Sequence, residues 1–119
     1  MKYMLLMRAS GCDESDESGP ERERVAMAAF NEQLLRAGVV LAGAGVAVGE
    51  TDVRVEFDGD RRAVTTVPAG DVGEAVCAFW ILQVASRSEA VEWARRTPAT
   101  RGFIDVRRVL EAGEREYAT

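Results

Sequence analysis

The sequence predicts an α+β fold: a ferredoxin-like β-α-β-β-α-β core with an extra β-hairpin in its middle. Three observations carry that prediction. Two stretches of helical period, near 20–37 and 86–97, each lie between β-type runs. Asp58-Gly59 sits between two alternating segments, the strongest short-range signal of a hairpin. Finally, VCAFWILQV, from Val76 to Val84, places apolar residues on both of its alternating faces, as a strand in the middle of a sheet does.

The first element is KYMLLMR, Lys2 to Arg8, a short apolar run predicted as a strand buried on both faces. Residues 9–20 are small, acidic and Gly/Pro-marked. Four carboxylates fall within GCDESDESGP, without the spacing of a calcium-binding loop, so this stretch is expected to be a solvated loop. Pro20 suits a first helical turn, and Glu21 and Glu23 favour its positive end. Met27, Phe30 and Leu34 then recur on one face with Glu32, Gln33 and Arg36 on the other, which predicts a helix to about Ala37 that stops at Gly38. VVLAGAGVAV follows, a strand bent or bulged at Gly43 and Gly45. Its GAG is no phosphate loop, because Val48 fills the third glycine position and more β-type sequence follows.

Asp52 to Phe57 alternates, with Val53, Val55 and Phe57 on one face, and Ala63 to Val67 is its returning partner. Pro68, Gly70 and Gly73 break the pattern before Val76–Val84. Ser86 with Glu89 forms a capping box for a second helix, which points Ala90, Val91, Trp93 and Ala94 inward and ends at Thr97-Pro98. Phe103 to Val109 closes the order as a strand. Residues 1–110 thus form one domain, and 111–119 form a polar C-terminal tail.

Composition narrows the function. At 119 residues, 47% of them apolar, the chain is one globular domain. A net charge of -5, a single lysine (Lys2) and scattered arginines exclude the basic patch that nucleic-acid binding requires. No run approaches the length of a membrane span, and Met4 to Met7 is too short for a signal-peptide core. The two cysteines, Cys12 and Cys77, offer no second pair for a disulfide framework and suit a cytoplasmic protein. Histidine is absent, which removes Ser-His-Asp and Cys-His catalysis and histidine metal sites. No cofactor or metal is expected. Any catalysis would run on carboxylate, arginine, tyrosine or thiol groups.

MKYMLLM, FNEQLLRAGVVLAGAGV, TDVRVEFDG, FWILQVASRSEAVEWARRTP and RGFIDVRRV, taken in that order, resemble the YCII-related, or DGPF-domain, proteins. The resemblance implies a homodimer whose sheets meet in an α+β barrel, with an interior pocket for a small organic compound, aromatic or polyketide-like. Some relatives are enzymes on small aromatic compounds, and others accompany sigma factors. The chain departs from the family hallmark, Asp-Gly-Pro-Phe followed by Ala-Glu-Thr-Lys-Glu. That stretch falls on Thr66-Val67-Pro68-Ala69 and Gly70-Asp71-Val72-Gly73-Glu74, where only Pro68 and Glu74 match and Asp71 replaces a glutamate.

The site residues follow. Asp71 and Glu74, three apart, are either an acid–base pair that raises one another's pKa or a solvated pair of loop acids. Arg8 and Arg54 lie on predicted strands and Arg101 precedes one; an inward arginine binds an anion, and an outward one faces solvent. Trp80 is expected as core or barrel lining, and either it or Phe79 must face away from the helices. The function read from these features is binding, with or without cofactor-free turnover, of a small organic molecule. The alternative is a non-catalytic regulatory or interaction module, for example a sigma-factor accessory protein.

Overall fold

The structure is a computed structural model, and it describes residues 1–8, 20–47, 52–67, 75–99 and 101–114. Its elements run β1 (Lys2–Arg8), α1 (Pro20–Ala37), β2 (Val40–Gly45), β3 (Asp52–Asp58), β4 (Arg61–Val67), β5 (Val76–Gln83), α2 (Arg87–Arg96) and β6 (Ile104–Val109). β2, β5, β1 and β6 form one antiparallel sheet in that order, with β5 and β1 at its centre. This is the ferredoxin-like arrangement, in which each βαβ unit leaves room for a strand of the other. β3 and β4 form a separate two-stranded hairpin.

Each helix begins and ends for a local reason. Gly38 has φ +70°, a left-handed conformation that stops α1 without a Cβ penalty. The Ser86 hydroxyl accepts from the Glu89 amide at 3.2 Å, and the Glu89 carboxylate accepts from the Ala85 amide at 2.8 Å. The capping interaction therefore reaches one residue further back than the ideal box. α2 ends at Thr97, whose amide donates to the Ala94 carbonyl.

Both helices lie on one face of the sheet. Tyr3, Leu5 and Met7 of β1 point to them, as do Trp80 and Leu82 of β5, and all five are buried with Phe30, Leu34, Ala90 and Trp93. Phe30 of α1 is the hinge of the cluster. It meets Trp80 edge-on at 5.7 Å and Trp93 at 6.3 Å, so one aromatic ring ties both helices to the sheet. Leu5, Leu34 and Leu82 are wholly buried, each contributing about 1.5–3 kcal/mol by transfer from water.

Two expectations are corrected. β1 is buried on one face only, because Lys2, Met4, Leu6 and Arg8 point to the side that neither helix covers and are half-buried. Val91 is exposed rather than inward, because the buried stripe of α2 is as narrow as Ala90 and Trp93. The hairpin that Asp58-Gly59 signals is present, and its loop is Gly59-Asp60, since Asp58 pairs with Arg61. Gly59 at φ +60° in the first loop position is what a type II′ connection demands. β2 is irregular, but its register shift falls between Val40 and Ala42 rather than at Gly43 or Gly45, which pair in regular register. A second shift leaves Cys77 as the extra residue opposite the Met7–Arg8 step.

Candidate functional site

Among the described residues, one cavity opens under each helix on the helix side of the sheet. The larger, about 640 Å³, lies between α1 and the edge strand β2. Arg24, Met27, Asn31 and Leu35 form its α1 wall at spacings of three and four residues, one stripe of a helix. Leu41, Gly43 and Gly45 form the β2 wall, and Ala78 and Trp80 the floor. The smaller, about 400 Å³, lies between α2 and β6 and is lined by Val91, Ala94, Arg95, Arg101, Phe103 and Val106, among others.

The larger cavity has a fixed wall and an uncommitted charge. The Trp80 indole N–H donates to the Asn31 side-chain oxygen at 2.8 Å, which satisfies the ring's one donor and holds the Asn31 amide beside the cleft. Gly43 is needed there: a Cβ on it would lie 3.0 Å from Trp80 Cδ1 and 3.1 Å from the Phe79 carbonyl oxygen. Arg24 is exposed at the rim, and its guanidinium has no ion pair or hydrogen bond among the described residues. A wall of aliphatic and aromatic carbon with one amide and a guanidinium unpaired among the described residues suits a small apolar molecule that carries an anionic group.

The structure does not gather the expected site residues into one place. Trp80 is in the floor of the larger cavity and, as required, Phe79 points to the opposite face. Arg101 lines the smaller cavity. Arg8 is on the open face, where Nε and Nη2 both reach Oδ2 of Asp105, at 3.2 and 2.8 Å, and the guanidinium lies 6.0 Å from the Phe103 ring centroid. Arg54 is exposed on the hairpin. Asp71 and Glu74 lie outside the described residues. Arg24, Asn31 and Gly43 were missed from sequence. The 24-27-31-35 spacing could have revealed the first two, because it sets two polar groups on the same helical stripe as Met27 and Leu35.

Other features bound the chemistry. Among the described residues no cluster of three or more Cys, Asp or Glu could hold a metal ion. Among the described residues no helix is long and apolar enough to cross a membrane. Cys77 is buried and disulfide-bonded, and the chain's other cysteine, Cys12, lies outside the described residues. This linkage removes one support for a cytoplasmic location, which rested in part on the cysteine count.

The sheet's other face is the second candidate surface. Ala44, Phe79 and Leu6 form one cross-strand row and Ala42, Ile81 and Met4 the next, bordered on β6 by Asp105 and Arg107. Neither helix lies on these rows. The family model for the YCII-related domain matches residues 1–112, so the chain belongs to that family. No curated protein matches it.

Proposed function

We propose that this member of the YCII-related family binds a small, largely apolar organic molecule with an anionic group in the cleft between α1 and β2. The observation that carries the reading is Arg24, unpaired among the described residues, at the rim of an apolar cavity of about 640 Å³ whose floor is the pinned Trp80 ring. That volume falls within the usual range of ligand sites, roughly 300–1,000 Å³. The protein acts as a homodimer through the open face of its sheet, where the apolar rows centred on Phe79 and Leu6 would otherwise face water. It works in the cytoplasm and needs neither cofactor nor nucleic acid.

Where turnover accompanies binding, Asp71 or Glu74 takes a proton from the ligand, and the arginine that lines the cleft, Arg24, stabilises the resulting oxyanion. Loss of turnover in Asp71→Asn or Glu74→Gln is the required result, and unchanged rates would remove the pair from the mechanism. Binding is tested by titrating 1-naphthoate against Trp80 fluorescence in a Trp93→Phe background. We expect saturable quenching that weakens at least about tenfold in Arg24→Gln; no quenching at millimolar ligand would overturn the reading. A second reading, a non-catalytic interaction module, is favoured by Thr66 and Gly73 standing where the hallmark aspartate and lysine are expected. Binding without turnover, unaltered by either carboxylate variant, would select it.

A further inference from the structure

We infer that the smaller cavity, between α2 and β6, is a second binding site, for a small apolar carboxylate of the size of a single aromatic ring. It stands apart from the cleft under α1 and does not depend on the reading given for that cleft. The sequence of both walls creates the space. On α2, Val91 and Arg95 lie one turn apart on the same face, and Ala94 beside them is too short to fill the gap. On β6, Ile104 and Val106 point to one side by strand alternation, and Met7 of β1 pairs with Ile104. Ile104 and Val106 are only half-buried, so α2 leaves them partly uncovered. Gly102, at φ +81°, turns the chain into β6 and leaves Phe103 lining the cavity while 53% exposed.

Charge decides the class of ligand. The chain carries 20 acidic residues and a net charge of -5, yet among the described residues the charged groups lining this cavity are Arg95 and Arg101. The next residue on α2 shows what an arginine here otherwise does. Arg96 approaches Glu92 at 3.7 Å and lies over the Trp93 ring at 4.9 Å. Arg95 is exposed, with no ion pair, hydrogen bond or ring contact among the described residues. The end of α2 that borders the cavity is the helix's negative end, so its backbone does not attract an anion, and the affinity must come from the guanidinium. A guanidinium offers a carboxylate two parallel hydrogen bonds. Val91 and Phe103, both exposed, give the ring of such a ligand an apolar bed that water otherwise covers. At about 400 Å³, against about 640 Å³ under α1, the cavity lies at the small end of the usual range for ligands, which favours a single ring.

The test titrates benzoate into the isotope-labelled full chain and follows its backbone amide resonances by NMR. Saturable shifts in the millimolar range are expected at residues 91–95 and 101–106. Arg95→Gln should weaken that binding at least about tenfold. Benzamide, which keeps the ring and lacks the charge, should bind wild type as weakly as benzoate binds the variant. Met7 is the one described residue that lines both cavities, so Arg24→Gln, in the other wall, should leave these shifts unchanged. Circular dichroism confirms that each variant is folded. An arginine present only to complement the helix dipole would give equal benzoate affinity in wild type and Arg95→Gln, and that result would overturn the second site. So would the absence of saturable shifts at tens of millimolar benzoate, or shifts confined to α1 and β2. None of these results touches the cleft under α1, on which naphthoate quenching and Arg24→Gln report separately.

Discussion

The helix-backed sheet and the hairpin are built from the same kind of alternating apolar sequence, yet only the first is a core. In β1, Tyr3, Leu5 and Met7 alternate with half-buried residues and disappear beneath α1 and α2. In β3, Val53, Val55 and Phe57 alternate as cleanly, and all remain exposed. Alternation specifies which side chains share a face; it does not specify what covers that face. In the sheet the cover comes from Phe30, Leu34 and Trp93, whose helices are held by their own caps and stops. No such layer covers the hairpin among the described residues.

The most disruptive way to sharpen that contrast is to empty the sheet core. Leu5→Ala should lower the unfolding free energy by about 2–5 kcal/mol at any protein concentration, as measured by urea denaturation. The matching change on the hairpin, Val55→Ala, should alter the dilute chain by no more than about 0.5 kcal/mol and act only where the protein is concentrated enough to pair. Equal effects at high dilution would break the comparison. Gly43→Ala should cost about 1–3 kcal/mol, because the new methyl must displace Trp80 or the backbone at Phe79. A change in Trp80 emission should accompany it.

Two smaller effects probe the edges of the helix-backed unit. Ser86→Ala removes the acceptor of the Glu89 amide and should cost about 1 kcal/mol. Beyond β6, the hydrogen bond from Arg108, then the Glu111 amide, hold the Glu114 carboxyl below its ordinary range. A carboxyl whose pKa is depressed on folding adds stability that is complete above its unfolded value, near about 4.3. That stability disappears as pH falls through the lower folded value. The difference between wild type and Glu114→Gln should therefore be small at neutral pH, where water screens this partly exposed group, and vanish in acid.

Much of the fold was legible in the sequence because its signals are local. Pro20, Gly38, Ser86 with Glu89 and Thr97-Pro98 bound the helices through the backbone groups and dihedrals they satisfy. The apolar run of β5 marks a central strand through its own composition. The cleft was not legible, because it depends on α1 standing away from β2 over a glycine-thinned strand, a distance no local pattern encodes. Sequence reasoning named Trp80 from its bulk but not Arg24 or Asn31, whose meaning comes only from the wall opposite. It also grouped Arg8 with ligand-binding arginines, whereas folding places Asp105 two strand positions across from it and pairs the two.

The central claim is that the sheet and helices form a self-sufficient unit, whereas the hairpin's apolar face is uncovered among the described residues and gains protection only in the proposed homodimer. Amide hydrogen exchange measured across a dilution series tests it most directly. Protection in β1 and the α1-facing part of β5 should stay constant with dilution. Protection in β3 and β4 should fall as the protein passes from dimer to monomer. Hairpin amides that stay equally protected at every concentration would show that their own chain covers them, and would contradict the account.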